Sequence, residues 1–251
     1  MESSSSTTAQ HEFYRELVAA YADDWLQPAY DVACGAAGHV GEEHGRAPDP
    51  DHGLAQIEAL GKWARRAGLV FEAEPFPHRL KGGREHWLVD PLETSDRIVK
   101  VTIGPEFGFY AACLPKSRYR DVCHWFTTVE GTPLQYLRRL LLLNELFPRC
   151  HTRLAGFIAT EKRLHAVTAQ LIARGRPASL AEISDWMRQN GFRFISAWTW
   201  FRPEDGVALF DVLEKNVMRC EDGEIVPFDV IPIRCEGIFL EMMHAAVERM
   251  L

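Results

Sequence analysis

The part of the chain that most constrains its fold is the stretch 207–231, in which short apolar segments alternate with polar turns. The first apolar segment ends at Asp211, a polar loop then ends at Asn216, and the last apolar segment ends at Asp229. A hairpin around the turn at 221–223 would bring Asn216 and Asp229 to one edge. Amide and carboxylate oxygens, together with nucleotide phosphates, are the ligands that Mg²⁺ prefers. We therefore expect a Mg²⁺ site at Asn216 and Asp229, with Asp211 close enough to accept a proton.

The composition is that of an ordinary soluble protein. Its 251 residues, 47% hydrophobic and 25% charged, suffice for one large or two small domains with a core. A net charge of -7 argues against a nucleic-acid partner, because such binding depends on Lys and Arg contacts with phosphates. A nucleotide pocket remains compatible with this charge. The six cysteines include no C-x-x-C pair and no signal segment precedes them, so we expect reduced thiols in a cytoplasmic protein with no membrane span.

Two helices are predicted before the first strand. Residues 1–10 form a Ser/Thr-rich tract that we interpret as a disordered tail. Apolar residues recur at helical intervals over residues 11–33, with a break expected near Pro28, and again over residues 54–67, with a stop at Gly68. The histidines of the intervening loop match no familiar zinc spacing, which favours a mobile loop over a metal site. Both helices need cover for their apolar faces, so we expect them to pack on the lobe that follows.

Strand patterns begin after Gly68, at residues 69–73, 87–89 and 97–102. Gly82 and Gly83 lie between the first two of these strands. Adjacent glycines allow backbone N–H groups to approach a phosphate, but taken on their own they are better explained by an ordinary hairpin turn. Lys100 is flanked by β-branched residues in the strand 97–102. Residues 104–131 are predicted to be irregular.

A strong helix is predicted from Thr132 to the proline at 148. Near its end, Glu145 lies among Leu and Phe residues, and is either a boundary residue or the partner of a buried cation such as Lys100. Strands are predicted at 154–160 and 164–170, followed by a capped helix from Ser179 and a last helix over 238–250. The aromatic segment 192–201 is predicted to belong to the core.

Several motifs together resemble a known family. They are Gly-Gly-x-Glu-His, Leu-x-Asn-Glu-Leu-Phe, Phe-Arg-Pro-Glu-Asp-Gly, Phe-Asp-x-x-x-x-Asn-Val and Val-Pro-Phe-Asp-Val-Ile-Pro. In this order they resemble the compact serine/threonine/tyrosine kinase-like domain of bacterial and phage polyvalent proteins, over about residues 69–235. The chain departs from ordinary protein kinases at two motifs, since no His-Arg pair precedes Asp211 and Asp-Val-Ile replaces Asp-Phe-Gly.

The resemblance implies an α+β class and a bilobal protein kinase-like fold with a reduced C-lobe and an N-terminal helical extension. The tail and extension would occupy residues 1–68, the N-lobe residues 69–170, and the C-lobe residues 171–251.

The resemblance also implies a phosphotransferase that depends on ATP and Mg²⁺. Lys100, oriented by Glu145, would hold the α and β phosphates of ATP. Asn216 and Asp229 would hold the metal, and Asp211 would orient and deprotonate an acceptor hydroxyl.

The nucleotide contacts implied by the resemblance come from two further segments. Gly82 and Gly83 would cover the phosphates of ATP. The backbone of Thr168, Ala169 and Gln170 would pair with adenine, although the same residues also fit an ordinary exit from a strand into a loop.

Two rival functions stay open. The missing His-Arg and Asp-Phe-Gly motifs allow a pseudokinase that serves as a nucleotide-binding interaction module. The reduced C-lobe and the added N-terminal helices allow a small-molecule kinase instead. Whether the acceptor is a protein or a small molecule is left undetermined by the resemblance.

Overall fold

A computed structural model describes residues 23–37, 50–71, 79–80, 85–89, 96–103, 107–114, 125–160, 163–196 and 198–249. Within these ranges the protein is mixed α+β, with five α-helices and four β-sheets. The helices are α1 (Leu26–Ala37), α2 (Pro50–Ala67), α3 (Pro133–Leu146), α4 (Leu180–Gln189) and α5 (Gly237–Glu248). The strands are β1 (Val70–Phe71), β2 (Arg79–Leu80), β3 (His86–Val89), β4 (Arg97–Thr102), β5 (Phe109–Leu114), β6 (Trp125–Glu130), β7 (Thr152–Ala159), β8 (Leu164–Leu171), β9 (Gly175–Pro177), β10 (Arg193–Ser196), β11 (Thr199–Arg202), β12 (Val207–Phe210), β13 (Val217–Cys220), β14 (Ile225–Pro227) and β15 (Ile231–Arg234).

Proline residues lie in the first turn of each of the first two helices and do not break them. The expected break near Pro28 is wrong, because α1 starts at Leu26 and continues past this proline to Ala37. A proline is tolerated in the first turn, where backbone N–H groups have no intrahelical partner. The helix α2 starts at Pro50 and ends as predicted before Gly68, which has a φ of 69°. The rest of the first predicted helix, residues 11–22, lies outside the described residues.

The first half of the described chain contains a six-stranded sheet in the order β1-β7-β8-β4-β3-β2. Its pairs are antiparallel except for β1 with β7. One face buries an apolar cluster, to which Val99, Val101 and Val167 belong. Side chains alternate across a strand, so Lys100 and its cross-strand partner Thr168 lie on the opposite face. This face is polar and buried, and it needs hydrogen-bonding partners.

The helix α3 supplies the cover for that polar face, and α1 and α2 pack behind it. Leu137 and Leu140 of α3 belong to the same buried cluster as Leu26 of α1, Leu60 of α2 and Phe157 of β7. The described parts of the N-terminal helices therefore bury their apolar faces against α3 and β7, as their amphipathic patterns required. None of the helices in the described ranges is both long and apolar enough to cross a lipid bilayer.

The first turn of α3 is held by a residue of α2 as well as by its own capping box. Thr132 accepts a hydrogen bond from the backbone N–H of Gln135, whose side chain accepts one from the backbone N–H of Thr132. The buried side chain of Gln56 accepts a hydrogen bond from the backbone N–H of Leu134, at 2.9 Å. The free N–H groups at this helix end are thus satisfied without water.

The segment 104–131, predicted to be irregular, contains an antiparallel hairpin of β5 and β6. The prediction was wrong because β5 is a nearly continuous apolar run, without the alternation that marks a half-buried strand. Tyr110 and Ala111 of this strand are both buried in a cluster with residues of β15 and α5.

The second half of the described chain contains a four-stranded sheet in the order β10-β11-β12-β15 and a three-stranded sheet in the order β14-β13-β9. Phe210 pairs with Ile231 across β12 and β15, and Val217 pairs with Pro227 across β13 and β14. The predicted hairpin around the turn at 221–223 is therefore confirmed. Both registers bring the ends of the segments 211–216 and 228–230 together.

We expect Gln56→Ala to lower the free energy of unfolding by roughly 1–3 kcal/mol, because it leaves the buried N–H of Leu134 without an acceptor. Urea denaturation followed by circular dichroism measures the loss. Gln189→Ala, at an exposed position of α4, is the matched control and should change stability by less than about 0.5 kcal/mol. Equal effects of the two substitutions would contradict the proposed role of Gln56.

Candidate active site

The loop after β12 holds Asp211 in an unusual backbone conformation. Its φ of 56° lies in the left-handed region, which non-glycine residues rarely adopt. The buried side chain of Asn216 stabilises this geometry by donating hydrogen bonds to the backbone carbonyl of Asp211, at 2.7 Å, and to its Oδ2, at 2.8 Å. The two side chains predicted for catalysis and metal binding are therefore joined directly.

Asp229 lies against the same loop. The backbone N–H groups of Phe228 and Asp229 donate to the carbonyl oxygen of Asn216, at 3.0 and 3.4 Å. The Asp229 side chain is 39% exposed, and its Oδ1 accepts a hydrogen bond from Lys100 Nζ at 2.8 Å. Its Oδ2 has no hydrogen-bond donor among the described residues, which leaves one carboxylate oxygen for a ligand.

The predicted ion pair of Lys100 with Glu145 is wrong. Lys100 pairs with Asp229, whereas Glu145 is 63% exposed and accepts a hydrogen bond from Arg234 Nη2 at 3.0 Å. The helical period explains the difference, because α3 turns Tyr136, Arg139, Leu140 and Leu143 towards the polar face of the sheet and Glu145 towards β15.

The predicted adenine-binding residues occupy the middle of the sheet. Thr168, Ala169 and Gln170 pair with β4 on one side and with β7 on the other, so their backbone groups already belong to two strand ladders. The expectation that this backbone pairs with adenine is corrected for that reason. The chain leaves the sheet after Leu171, and the backbone groups of residues 173–174 have no backbone partner among the described residues.

Side chains of this central strand serve the site in another way. Gln170 Nε2 donates a hydrogen bond to the backbone carbonyl of Phe228 at 2.6 Å, and Thr168 Oγ1 donates to the backbone carbonyl of Lys100 at 3.4 Å. Gln170 thus fastens the segment that carries Asp229 to the six-stranded sheet. Gly82 and Gly83, predicted to cover the phosphates, lie outside the described residues.

Sequence reasoning missed a buried charge pair next to Lys100. Both guanidinium NH2 groups of Arg139 contact the Glu85 carboxylate, Nη1 with Oε1 and Nη2 with Oε2, the latter at 3.1 Å. The backbone of Phe109 takes part, since its carbonyl accepts from Arg139 at 2.7 Å and its N–H donates to Glu85 at 2.9 Å. Glu85 belongs to the Gly-Gly-x-Glu-His motif, and Arg139 interrupts the leucines of α3, so both left a signal in the sequence.

His86 and Tyr136 complete the polar layer between the sheet and α3. His86 Nε2 lies 3.0 Å from the Tyr136 hydroxyl, and both side chains are buried. Burial lowers the pKa of His86 from 6.5 to about 4, although the neighbouring Glu85 opposes the shift. Burial also raises the pKa of Tyr136, so both groups are neutral at pH 7.

The two aspartates have pKa values shifted in opposite directions. Burial raises the pKa of Asp211, and the hydrogen bond from Asn216 only partly opposes this effect. Burial is the largest single influence on Asp229 and would raise its pKa, but the charge and hydrogen bond of Lys100, together with the charges of His86 and Arg139, outweigh it and the pKa falls below its ordinary value. Asp229 is therefore the more firmly anionic group, and Asp211 the better proton acceptor.

This arrangement places two carboxylates, an amide and an ammonium group around one loop. Residues 127–232 match the family described as "Serine/Threonine/Tyrosine Kinase found in polyvalent proteins". The match confirms, for residues 127–232, the resemblance that the motifs indicated.

The matched segment contains Glu145, Asp211, Asn216 and Asp229, but it begins after Lys100. The assignment of Lys100 therefore rests on its contact with Asp229. No curated protein and no solved structure matches the chain.

The buried pair of Glu85 and Arg139 should dominate the stability of this layer. We expect Arg139→Met to cost roughly 3–5 kcal/mol, because it leaves the Glu85 carboxylate buried and unpaired. The double variant with Glu85→Met should cost clearly less than the sum of the two single substitutions. Urea denaturation of the four proteins measures the coupling, with Arg188→Met at an exposed pair on α4 as control. Strictly additive losses would show that the two side chains do not stabilise each other.

The pH dependence of the free energy of unfolding should show the lowered pKa of His86. Since its folded pKa of about 4 lies below the ordinary 6.5, only the unfolded chain binds this proton between those pH values. Lowering the pH from 6.5 to 4 should therefore cost wild type on the order of 3 kcal/mol more than His86→Gln, which cannot titrate. Denaturation at a series of pH values gives the difference. A difference that stays constant over this range would contradict the assignment.

Proposed function

We propose that the protein is an ATP- and Mg²⁺-dependent phosphotransferase that transfers the γ-phosphate to a hydroxyl acceptor. The observation that carries this proposal is a continuous chain of contacts. Lys100 pairs with Asp229, the backbone of Asp229 donates to Asn216, and Asn216 donates to Asp211. The kinase-family match over 127–232 supports the same reaction class.

The donor set fits Mg²⁺. Asp229 Oδ2 and the side-chain oxygen of Asn216 are hard oxygen ligands on two segments that are hydrogen-bonded to each other. No group of three or more His, Cys, Asp or Glu suited to a metal occurs in the part of the chain that the structure describes. This suits Mg²⁺, which commonly uses one or two protein oxygens and takes its other ligands from phosphates and water. When bound, Mg²⁺ would neutralise phosphate charge.

Lys100 is suited to bind the α and β phosphates of ATP. Its ammonium group is held on a central strand by a side chain that is only 10% exposed, so its position is well defined. In this structure Asp229 balances its charge, and phosphate oxygens would share that role in the complex. For adenine, we propose the free backbone groups of residues 173–174, three to six positions after the residues first predicted.

Asp211 is suited to orient and deprotonate the acceptor. Its raised pKa brings it closer to the pH at which a general base works well, and Asn216 fixes the direction of its carboxylate. The acceptor would be a hydroxyl of a protein or of a small molecule.

The proposal extends to the architecture and location. The six-stranded sheet with α3 would form the N-lobe of a bilobal kinase-like fold, and the strands and helices of residues 171–251 a reduced C-lobe. The described cysteines Cys34, Cys150, Cys220 and Cys235 are unpaired, which supports a reducing, cytoplasmic environment.

One observation favours a second candidate, a nucleotide-binding pseudokinase. The helix α3 presents Arg139 instead of a carboxylate to the face of the sheet that carries Lys100. Among the described residues, Asp229 is then the carboxylate that orients Lys100, and this pairing competes with phosphate binding.

Substitution of the two aspartates should impair different properties of the protein, Mg-ATP binding in one case and phosphate transfer in the other. We expect Asp229→Asn to weaken Mg-ATP binding at least about tenfold, or 1.4 kcal/mol, because it removes a charged metal ligand. Asp211→Asn should bind Mg-ATP nearly as wild type does, yet lose phosphate transfer by roughly 10²–10⁴-fold, the usual contribution of a general base. Calorimetry with Mg-ATP and a radiolabel transfer assay measure both quantities.

Asp185→Asn, at an exposed position of α4, is the matched control and should change neither quantity. If wild type binds Mg-ATP but transfers no phosphate to itself, to mixed proteins or to small hydroxyl compounds, the protein is a pseudokinase and the proposed phosphotransferase activity is wrong. If wild type does not bind Mg-ATP, both functions are excluded.

A further inference from the structure

The segment 227–229 contacts the first half of the described chain through one side chain per residue. Cys150 Sγ lies 3.3 Å from the first carbonyl oxygen of the segment, and Gln170 Nε2 donates a hydrogen bond to the second carbonyl oxygen at 2.6 Å. At the third residue, Lys100 Nζ donates to the Asp229 carboxylate at 2.8 Å. All three donors are buried. The segment that ends in the proposed metal ligand is therefore held at each of its three residues.

The backbone of Phe228 is bound on two sides. Its N–H donates to the carbonyl oxygen of Asn216 at 3.0 Å, and its own carbonyl oxygen accepts the hydrogen bond from Gln170. Gln170 lies on the central strand β8, where it pairs with Ile98 of β4 on one side and with Thr152 of β7 on the other. The Gln170 side chain therefore connects the loop of the candidate site to the centre of the six-stranded sheet.

Packing alone does not explain a glutamine at this position. A buried amide is costly unless it is hydrogen-bonded, and Gln170 is only 2% exposed. The backbone carbonyl of Phe228 needs a donor whatever side chains surround it. The cavity that Gln170, Phe228 and Asp229 help to line has a volume of only about 10 Å³, roughly the room for one water molecule. The segment is thus closely packed against the sheet, and Gln170 supplies the donor.

The bond from Gln170 differs in kind from the bond of Lys100. Lys100 holds the side chain of Asp229 by its charge, and phosphate oxygens would compete for that charge in the proposed complex with ATP. Gln170 is neutral and holds a backbone carbonyl, so phosphates do not compete for this contact. Its hold on the segment is retained when Asp229 is needed for the metal.

We propose that Gln170 is a positioning residue that keeps Asp229 in place for Mg²⁺ while Lys100 binds the phosphates of ATP. This inference rests on the proposed function, and it names the residue that controls the metal ligand of that site. Gln170 acts through the backbone of Phe228 and needs no contact with the metal or the nucleotide. Residues that orient metal ligands in this indirect way commonly contribute about 10- to 100-fold to metal affinity.

The substitution Gln170→Met tests this role, because it keeps a side chain of similar length and removes the donor. In the ligand-free protein, hydrogen exchange followed by NMR should show faster exchange at the amides of residues 228 and 229. In calorimetry with ATP at a series of Mg²⁺ concentrations, the Mg²⁺ concentration for half-maximal binding should rise about 10- to 100-fold. The affinity for ATP without Mg²⁺ should change little.

Gln56→Met is the matched control, since Gln56 is also a buried glutamine bonded to a backbone group, at the first turn of α3. Its faster exchange should appear in α3, and its Mg²⁺ requirement should remain that of wild type. In the Asp229→Asn background, Gln170→Met should cause no further rise in the Mg²⁺ requirement, because both changes act on one ligand. If Gln170→Met does not fold, Gln170→Asn, which is one methylene shorter, replaces it.

Four results would overturn the inference, and they can be told apart. Unchanged exchange at residues 228 and 229 would show that Gln170 does not hold the segment. An equal rise in the Mg²⁺ requirement for Gln56→Met would show that the effect is a general loss of stability. A further rise in the Asp229→Asn background would show that Gln170 does not act through Asp229. Failure of wild type to bind Mg-ATP would exclude the proposed function and this inference with it, whereas the exchange measurement needs no nucleotide.

Discussion

The ion pair of Lys100 and Asp229 connects the two halves of the described structure. Lys100 lies on a central strand of the six-stranded sheet, and Asp229 lies beside the loop that follows β12. A lysine on a buried strand requires a partner, because an unpaired buried charge is costly. Since the partner comes from a loop 129 positions later in the chain, the position of the candidate site depends on this contact.

A polar sheet face makes such contacts necessary. The strands β3, β4 and β8 turn polar side chains towards α3, where apolar packing alone would leave their hydrogen-bonding groups unsatisfied. Arg139 of α3 forms an ion pair with Glu85, and Tyr136 forms a hydrogen bond with His86. One side of α3 therefore contacts the sheet through ion pairs and hydrogen bonds, and the other side packs its leucines against α1 and α2.

In the loop of the candidate site, one residue makes two of the main contacts. Asn216 fixes the Asp211 carboxylate with its side chain and receives the Asp229 segment with its backbone carbonyl. One residue thus sets the relative positions of the proposed base and the proposed metal ligand. The pKa values of Asp211 and Asp229 shift in opposite directions, because Asp229 accepts a hydrogen bond from the Lys100 ammonium group whereas Asp211 accepts one from the neutral amide of Asn216.

Local patterns alone determined much of this structure. Thr132 with the proline that follows it marked the start of α3, and the capping box at Ser179 marked the start of α4. The apolar segments around the turn at 221–223 predicted the hairpin that joins Asn216 to Asp229. These features could be predicted because the interactions that cause them lie within a few neighbouring residues. The resemblance to the kinase family could be detected for a similar reason, since its motifs are short runs of sequence.

Tertiary structure alone decided which charges meet. Several acids were available to Lys100, and nothing in the sequence distinguishes Asp229 from Glu145 as its partner. The choice depends on which face of α3 meets the sheet and on the register of β12 with β15. The same holds for the central position of Thr168 and for the contact of Trp198 with the loop after Asp211. Ion pairing acts between side chains that are close in space whatever their separation along the chain, so local sequence determined the elements and only their packing determined the site.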